Sequence, residues 1–540
     1  MVGKRSKIWI VTAMLAVAGC CGLFGCSGSG SQGQGQGSTL VFGRNQDAVS
    51  LDPAVVTDGM SLNVARVTME GLTGYKLGTF DITPALATSW TVTPDGKTWN
   101  FKLRHGVKFQ DGTPFDAQAV KFNFDRWRLL NDPWHKLLQG NLDYSYYESQ
   151  FGGFPGVISD VRVLAPDEVQ FVLTRPFAPM LANLAMPAFS ISSPTAMKQE
   201  GENYFRAPVG TGPYQVTEWV KDDHITMKAF AGYWGDKAKI QTLIFRDIPD
   251  PSTSLLALQK GDIDGWEYPR PDDLGPLSQD HDLTIYHQPP NNVLYLAMNN
   301  QKPPFTNVLV RRAINEAIDA NEIVKNFYDP SAEVATDFLP LAVWPHPNQT
   351  AYAYDPADAR RLLAEAGLPH GFNTTLWYMT LPRPYVPEPQ RVAEAIQADL
   401  REIGINATLQ GFEWGQFLEK TQRGDHELAL AGWTGDNGDP DNFLYAILDK
   451  DSAIPPGAQN VCFWKDDDFH DLMMKAQNTT DRTERAKYYL EALQIVHDQA
   501  PLVPLVHTGP PIVFKRSVLG YIGNPDNSEP FQVMSMGSGD

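Results

Sequence analysis

The run Thr374-Thr375-Leu376-Trp377-Tyr378-Met379 is followed by Glu388–Ile403 (EPQRVAEAIQADLREI), Asn406–Phe412 (NATLQGF), Gln416–Arg423 (QFLEKTQR) and Glu427–Trp433 (ELALAGW). The first, third and fifth runs are short and apolar, bounded by turn residues, and read as strands. The second puts Val392, Ile396, Leu400 and Ile403 on one helical stripe and stops at Gly404, where a left-handed residue is wanted. Gln416–Arg423 predicts a shorter helix. Strand, helix, strand, helix, strand predicts a wound α/β sheet with right-handed crossovers.

That fold places a ligand, because open α/β sheets bind beyond the carboxyl ends of their strands. Past the first strand comes Leu381-Pro382-Arg383-Pro384-Tyr385. Past the second comes Glu413-Trp414-Gly415, and past the third Gly432-Trp433-Thr434-Gly435-Asp436-Asn437-Gly438-Asp439. One cation (Arg383), one anion (Asp436) and three aromatic residues (Tyr385, Trp414, Trp433) are thus expected on a single rim, with Thr434 among them. Any one of these alone is an ordinary loop residue. Their joint appearance after three successive strands makes the rim a candidate binding site.

Upstream the rhythm differs. Ser89–Arg104 alternates around Thr93-Pro94-Asp95-Gly96, and Val163–Leu173 repeats the device around Ala165-Pro166-Asp167, so both predict hairpins. Between them Asp116–Leu130 has helical spacing, with Val120, Phe124 and Trp127 on one face. This is a mixed, mainly antiparallel α+β region.

At 540 residues the chain exceeds one ordinary core and predicts several domains. Its 44 basic and 63 acidic residues leave a charge of −19, a surface that repels phosphate backbones and excludes nucleic acid as a general partner. Lys4, Arg5 and Lys7 precede an apolar run, Ile8 to about Ala18, too short to span a bilayer, and residues 1–25 read as an export signal. Cys20 and Cys26 each sit in a small-residue context resembling a lipidation site; Cys26 (or Cys20) is the expected lipid anchor, with plain secretion as the alternative. Residues 26–38 contain almost only Ser, Gly and Gln and predict a flexible tether. Of the four cysteines only Cys462 then remains in the body, which rules out a disulfide framework and suits a buried small hydrophobe.

Catalytic motifs fail. His426-Glu427 begins like a zinc-protease helix, but the second His would fall on Leu430. Gly96-Lys97-Thr98 resembles the end of a P-loop, yet position 91 is Thr91, and no G-x-S-x-G elbow exists. The acidic run from Asp436 fails as a calcium loop: started at Asn437, its sixth position is Asn442 and its twelfth Leu448. The eleven His show no ligand spacing. No enzyme, cofactor or metal is expected.

The passages Gly432–Phe443 (GWTGDNGDPDNF), Arg383-Pro384-Tyr385, Glu413-Trp414-Gly415, Gly210-Thr211-Gly212-Pro213-Tyr214 and Ala87–Asp125 resemble the extracytoplasmic solute-binding proteins of ABC importers. The likeness is to their peptide/nickel group (family 5), and most to its dipeptide-binding branch. The resemblance implies an α/β, two-lobed periplasmic-binding-protein fold with an additional inserted domain and the ligand enclosed between the lobes. It divides the chain into a discontinuous lobe I (39–60, 211–288 and 507–540), an inserted domain II (61–210) and a lobe III (289–506). By motif, Arg383 takes a peptide carboxylate and Asp436 its α-ammonium, while Tyr385, Trp414, Trp433 and Thr434 line the pocket. The implied partners are a short peptide, ABC permease and ATPase subunits, and the membrane through the lipid, with the chain itself a monomer outside the cytoplasm. Two departures stand out: the body keeps a single Cys462, and Ala431 precedes Gly432 where dipeptide-binding members carry a larger residue. Haem, glutathione, opine or nickel-chelate ligands remain open, as do a secreted peptide hydrolase and a sensory receptor.

The charged couple has a physical consequence. A short peptide is a zwitterion whose ends move apart by up to about 3.3–3.6 Å with each added residue. An Arg and an Asp fixed on one rim therefore select length. The planar guanidinium fork matches a carboxylate, and an ionised Asp, which only accepts, matches an ammonium, which only donates.

Overall fold

The computed structural model describes residues 38–136, 142–347 and 350–537. The export signal, Cys20, Cys26 and all of the tether except Ser38 lie outside them. Strand β1 (Thr39–Arg44) opens the chain. Strands β2 (Ala87–Val92), β3 (Thr98–Leu103), β4 (Ile158–Ala165) and β5 (Glu168–Leu173) form an antiparallel sheet in the order β2-β3-β5-β4. Both expected hairpins are present. The expected helix spans Ala117–Arg128, capped by Asp116, whose carboxylate accepts from the amides of Gln118 and Ala119. It buries Val120, Phe124 and Trp127 completely, with Phe124 edge-on to Phe171 of β5 at 4.7 Å. Full burial of each such side chain contributes roughly 1.5–3 kcal/mol.

Next come β6 (Tyr214–Val220), β7 (His224–Ala229), β8 (Thr242–Asp247), β9 (Gly265–Glu267) and β10 (Leu283–His287). Then follow β11 (Asn292–Met298), β12 (Glu333–Val334), β13 (Phe372–Met379), β14 (Ile405–Phe412), β15 (Leu428–Thr434) and β16 (Leu502–His507). Strand β17 (Pro511–Lys515) returns to the first sheet. The seven-stranded sheet runs β10-β17-β9-β1-β8-β7-β6, and the six-stranded sheet β12-β16-β11-β15-β13-β14.

In the six-stranded sheet the sequence reading is met closely. β13 pairs parallel with both β14 and β15, and the intervening helix Pro389–Glu402 buries Val392, Ile396, Leu400 and the following Ile403. Gly404 takes the left-handed conformation at φ +86°. Several boundaries shift by one or two residues; β13, for instance, starts at Phe372 and β14 at Ile405. The short helix starts at Trp414, not Gln416, because the Phe417 amide already reaches the Glu413 carbonyl at 2.8 Å. β15 continues through Trp433 and Thr434, which pair with Val293 and Asn292 of β11.

The strand directions turn the sheets' carboxyl edges toward each other. β1 is parallel to β9, and β9 and β10 are both antiparallel to β17, so β1, β9 and β10 end on one edge. From that edge residues 288–291 cross to β11. Since β11 is antiparallel to β15, the carboxyl ends of β13, β14 and β15 lie on the side where β11 begins. Residues 508–510 make the return crossing beside the first: the Gln288 amide donates to the Pro510 carbonyl at 3.2 Å, and Asn292 Nδ2 donates to the Thr508 carbonyl at 2.8 Å. Two adjacent strands of chain joining facing edges have the form of a hinge.

Candidate functional site

Arg383 lies in the loop after β13, half-buried, with its guanidinium carbon 3.9 Å from the centre of the Trp414 ring. The pair is a cation–π stack that holds the fork flat. No carboxylate completes an ion pair with Arg383 among the described residues, and its buried Nε has no partner. Burial pushes the guanidinium below its ordinary range. Trp414 opens the helix Trp414–Gln422 and stacks in turn on Phe417.

Tyr385 is buried beneath the rim, packed against Gly432 so tightly that a Cβ there would meet its ring at 2.3 Å. Its backbone carbonyl accepts from the Tyr328 hydroxyl at 3.0 Å. Tyr385 thus forms the floor beneath the end of β15. Trp433 donates its indole N–H to Asn442 Oδ1 at 3.3 Å, and Thr434 ends β15 opposite Asn292. Ala431 is buried opposite Tyr295.

The acidic run after β15 sorts itself by partner. Asp439 makes a buried two-pronged ion pair with Arg485 at 2.7 and 2.8 Å. Asp441 accepts from Gln477 Nε2, and Asn437 donates to Asn183. Asp436, like Asp441, is held by neutral donors. Its Oδ1 accepts from the Tyr146 hydroxyl at 2.7 Å and its Oδ2 from Asn442 Nδ2 at 2.9 Å, while its own amide donates to Asn442 Oδ1. All of these are neutral donors, and among the described residues Asp436 has no ion-pair partner. Burial raises its carboxyl above the usual range, against the pull of Asn442, Tyr146 and the more distant charge of Arg66. The loop is tied to the hinge: Gly435 and Asn291 exchange hydrogen bonds at 2.8 Å in both directions.

Sequence reasoning found the two charges and missed their supports. Tyr146 belongs to the helix Ser145–Phe151, far away in the chain, and nothing around it marks a contact with Asp436. Asn442 was within the quoted motif, but its clamp on Asp436 needs coordinates to see.

One group able to hold a metal occurs among the described residues: Asp449, Asp451 and His470, with ligand atoms within 4.8 Å of one another. His470 Nδ1 already bonds Asp449 at 2.9 Å, and the Asp451 amide caps the same carboxylate. Cys462 is fully buried, its thiol pushed up to about 12, so it is inert as a nucleophile. No helix among the described residues is long and apolar enough to cross a membrane.

Comparison with known proteins agrees with this architecture. The dipeptide-binding protein of Escherichia coli (strain K12) is 38% identical over 514 residues, 93% of this chain and 95% of that one. Heme-binding protein A of Haemophilus influenzae is 32% identical over 98% of this chain and 99% of its own length. Among solved structures, the ABC transporter-associated periplasmic binding protein DppA from Helicobacter pylori in complex with peptide STSA superposes with a TM-score of 0.80. It is 35% identical and covers 93% of this chain and 98% of that one. A family model described as bacterial extracellular solute-binding proteins, family 5 Middle, matches residues 81–454. The chain therefore belongs to family 5 of the bacterial extracellular solute-binding proteins, and is a solute-binding protein and not an enzyme.

Proposed function

We propose that this protein captures dipeptides or similar short peptides by both charged ends and delivers them to the permease of an ABC importer. The observation that carries the reading is a pair of opposite charges, Arg383 and Asp436, each partly buried and without an ion-pair partner among the described residues. They follow neighbouring parallel strands, on the edge that faces the other sheet. Leaving two such charges uncompensated costs free energy that a zwitterionic guest recovers. The peptide guests named for the Escherichia coli and Helicobacter relatives support the same reading. Trp414, Trp433 and Thr434 wall the guest above the Tyr385 floor. Lobes I and III close over it about the 288–291 and 508–510 crossings, and the closed form is what the permease recognises. A lipid on Cys26 (or Cys20) holds the protein in the periplasm or at the outer face of the cytoplasmic membrane.

Affinity for a matching dipeptide is expected at micromolar or tighter, about −8 kcal/mol or better. Calorimetric titration with Ala-Ala, Ala-Ala-Ala, Ala-Ala-Ala-Ala and N-acetyl-Ala-Ala tests the reading. The acetylated peptide keeps its carboxylate and loses its ammonium, so it should bind at least a hundredfold more weakly than Ala-Ala. Equal binding contradicts the role of Asp436. Tyr146→Phe removes one hydrogen bond to that carboxylate. That bond is already made in the ligand-free protein, so its loss should weaken Ala-Ala binding only by leaving the carboxylate harder to ionise, a weakening that shrinks as pH rises, again by calorimetry.

A haem guest is the second reading, favoured by the name of the Haemophilus relative. Haem offers carboxylates for Arg383 but no ammonium for Asp436. Absorbance titration with haemin separates the two.

A further inference from the structure

The carboxyl edge of the seven-stranded sheet, which faces the Arg383–Asp436 rim, carries a set of buried acceptors. Glu267 ends β9, on the carboxyl edge of the seven-stranded sheet. Its Oε1 accepts from the Asn45 amide at 3.3 Å, and its Oε2 has no partner. Gln288, the first residue of the hinge crossing, donates from Nε2 to Glu529 Oε1 at 3.3 Å, and its own Oε1 is without a partner. Exposure is 2% for Glu267, 3% for Gln288 and 6% for Glu529. Tyr268, next to Glu267, is held at φ +53°, a costly backbone for a non-glycine residue and a common mark of functional sites.

The nearby cations are engaged elsewhere. Arg44, facing Glu267 from β1, pairs with Asp247 at 2.9 Å. Arg66, facing Glu529 from the helix Gly59–Thr68, pairs with Asp526 at 3.1 Å. No ion pair reaches Glu267 or Glu529 among the described residues. The other groups facing them, Asp247, Asp526, Tyr268 and Tyr521, bring no positive charge.

We propose that Glu267, Glu529 and the Gln288 amide oxygen form a subsite for a cationic side chain of the guest, an ammonium or a guanidinium. The chemistry is complementary: the subsite offers acceptors, and lysyl and arginyl heads offer only donors. Its place is apt, since Glu267 and Gln288 stand on the edge that faces the Arg383–Asp436 rim. Without such a guest, protons take the cation's part. Burial pushes Glu267 up to about 7 and, with the neighbouring Glu267 charge adding to it, Glu529 to about 8. A guest cation replaces them, so binding a basic peptide near pH 7 releases more protons than binding Ala-Ala.

This subsite rests on the peptide reading above. The test is calorimetry at pH 7 with Ala-Ala, Lys-Ala and Ala-Lys, each lysyl peptide set against its norleucine counterpart, in buffers of different ionisation enthalpy. At one of the two positions lysine should bind at least tenfold tighter than norleucine, with proton release. In Glu529→Gln and Glu267→Gln the lysine-to-norleucine ratio should fall to within about twofold of one. Equal binding of lysine and norleucine at both positions in the wild type overturns the subsite, whether or not the variants fold. So does a preference that survives both substitutions. If Ala-Ala binds without any lysine preference, the subsite falls alone. If no peptide binds, the peptide reading falls and takes the subsite with it.

Discussion

Arg383→Ala should lower Ala-Ala affinity by about two to four orders of magnitude and leave the fold's stability within about 1 kcal/mol of the wild type. In the proposed binding mode the side chain supplies both hydrogen bonds to the guest's carboxylate, so binding is lost. Each charge-assisted bond contributes about 1.5–3 kcal/mol, so removing two costs about 3–6 kcal/mol. Stability is spared because the guanidinium makes no ion pair in the ligand-free protein, and its Nε is buried without a partner. Only its stack on Trp414 is lost, and that contributes about 0.5–1 kcal/mol at a partly exposed site. Arg383→Lys keeps the charge but not the fork, and should fall between the two. Calorimetry and urea unfolding check both halves. A large loss of stability with little loss of binding would make Arg383 a structural residue.

Asp436→Asn should weaken binding of free-amine peptides by at least a hundredfold while changing N-acetyl peptides little. The substitution keeps the shape and removes the charge that answers the ammonium. Its effect on stability has a definite sign. Burial raises the folded carboxyl above its unfolded value. The group's favourable contribution is therefore present at low pH and lost as pH rises through the folded pKa. At neutral pH the wild type carries the penalty of an ionised buried group, and the amide does not. Ligand-free Asp436→Asn should thus be as stable as the wild type or more so at pH 7, with the difference vanishing in acid. Peptide binding to the wild type should weaken as pH falls through that same raised value, a loss absent from the variant. Thermal unfolding and calorimetry between pH 4 and 8 test both slopes.

The sequence made much of this legible for identifiable reasons. The stripe Val392, Ile396, Leu400, Ile403 has one physical explanation, a helix packed on a sheet, and the structure buries all four. Pro-Asp turns announce hairpins because the turn residues set the backbone locally. Arg383 and Asp436 were visible because a carboxyl-edge loop is a short walk from its strand. Contacts between distant segments were not visible. The Tyr146 hydroxyl on Asp436 and the Gln288–Glu529 bond join residues hundreds of positions apart. Helical spacing alone starts the short helix at Gln416, yet the backbone closes its first turn at Trp414. In the acidic run Asp439 pairs with Arg485, whereas Asp436 and Asp441 accept only from neutral donors, Asp436 from Tyr146 and Asn442 and Asp441 from Gln477.

A crystal structure of the protein grown with Ala-Ala tests the central claim most directly. It should show the peptide between the facing sheet edges, its carboxylate forked on Arg383 above Trp414 and its ammonium on Asp436 beside Tyr146. A peptide bound with either terminus turned away from these side chains, or bound outside the cleft, would contradict it.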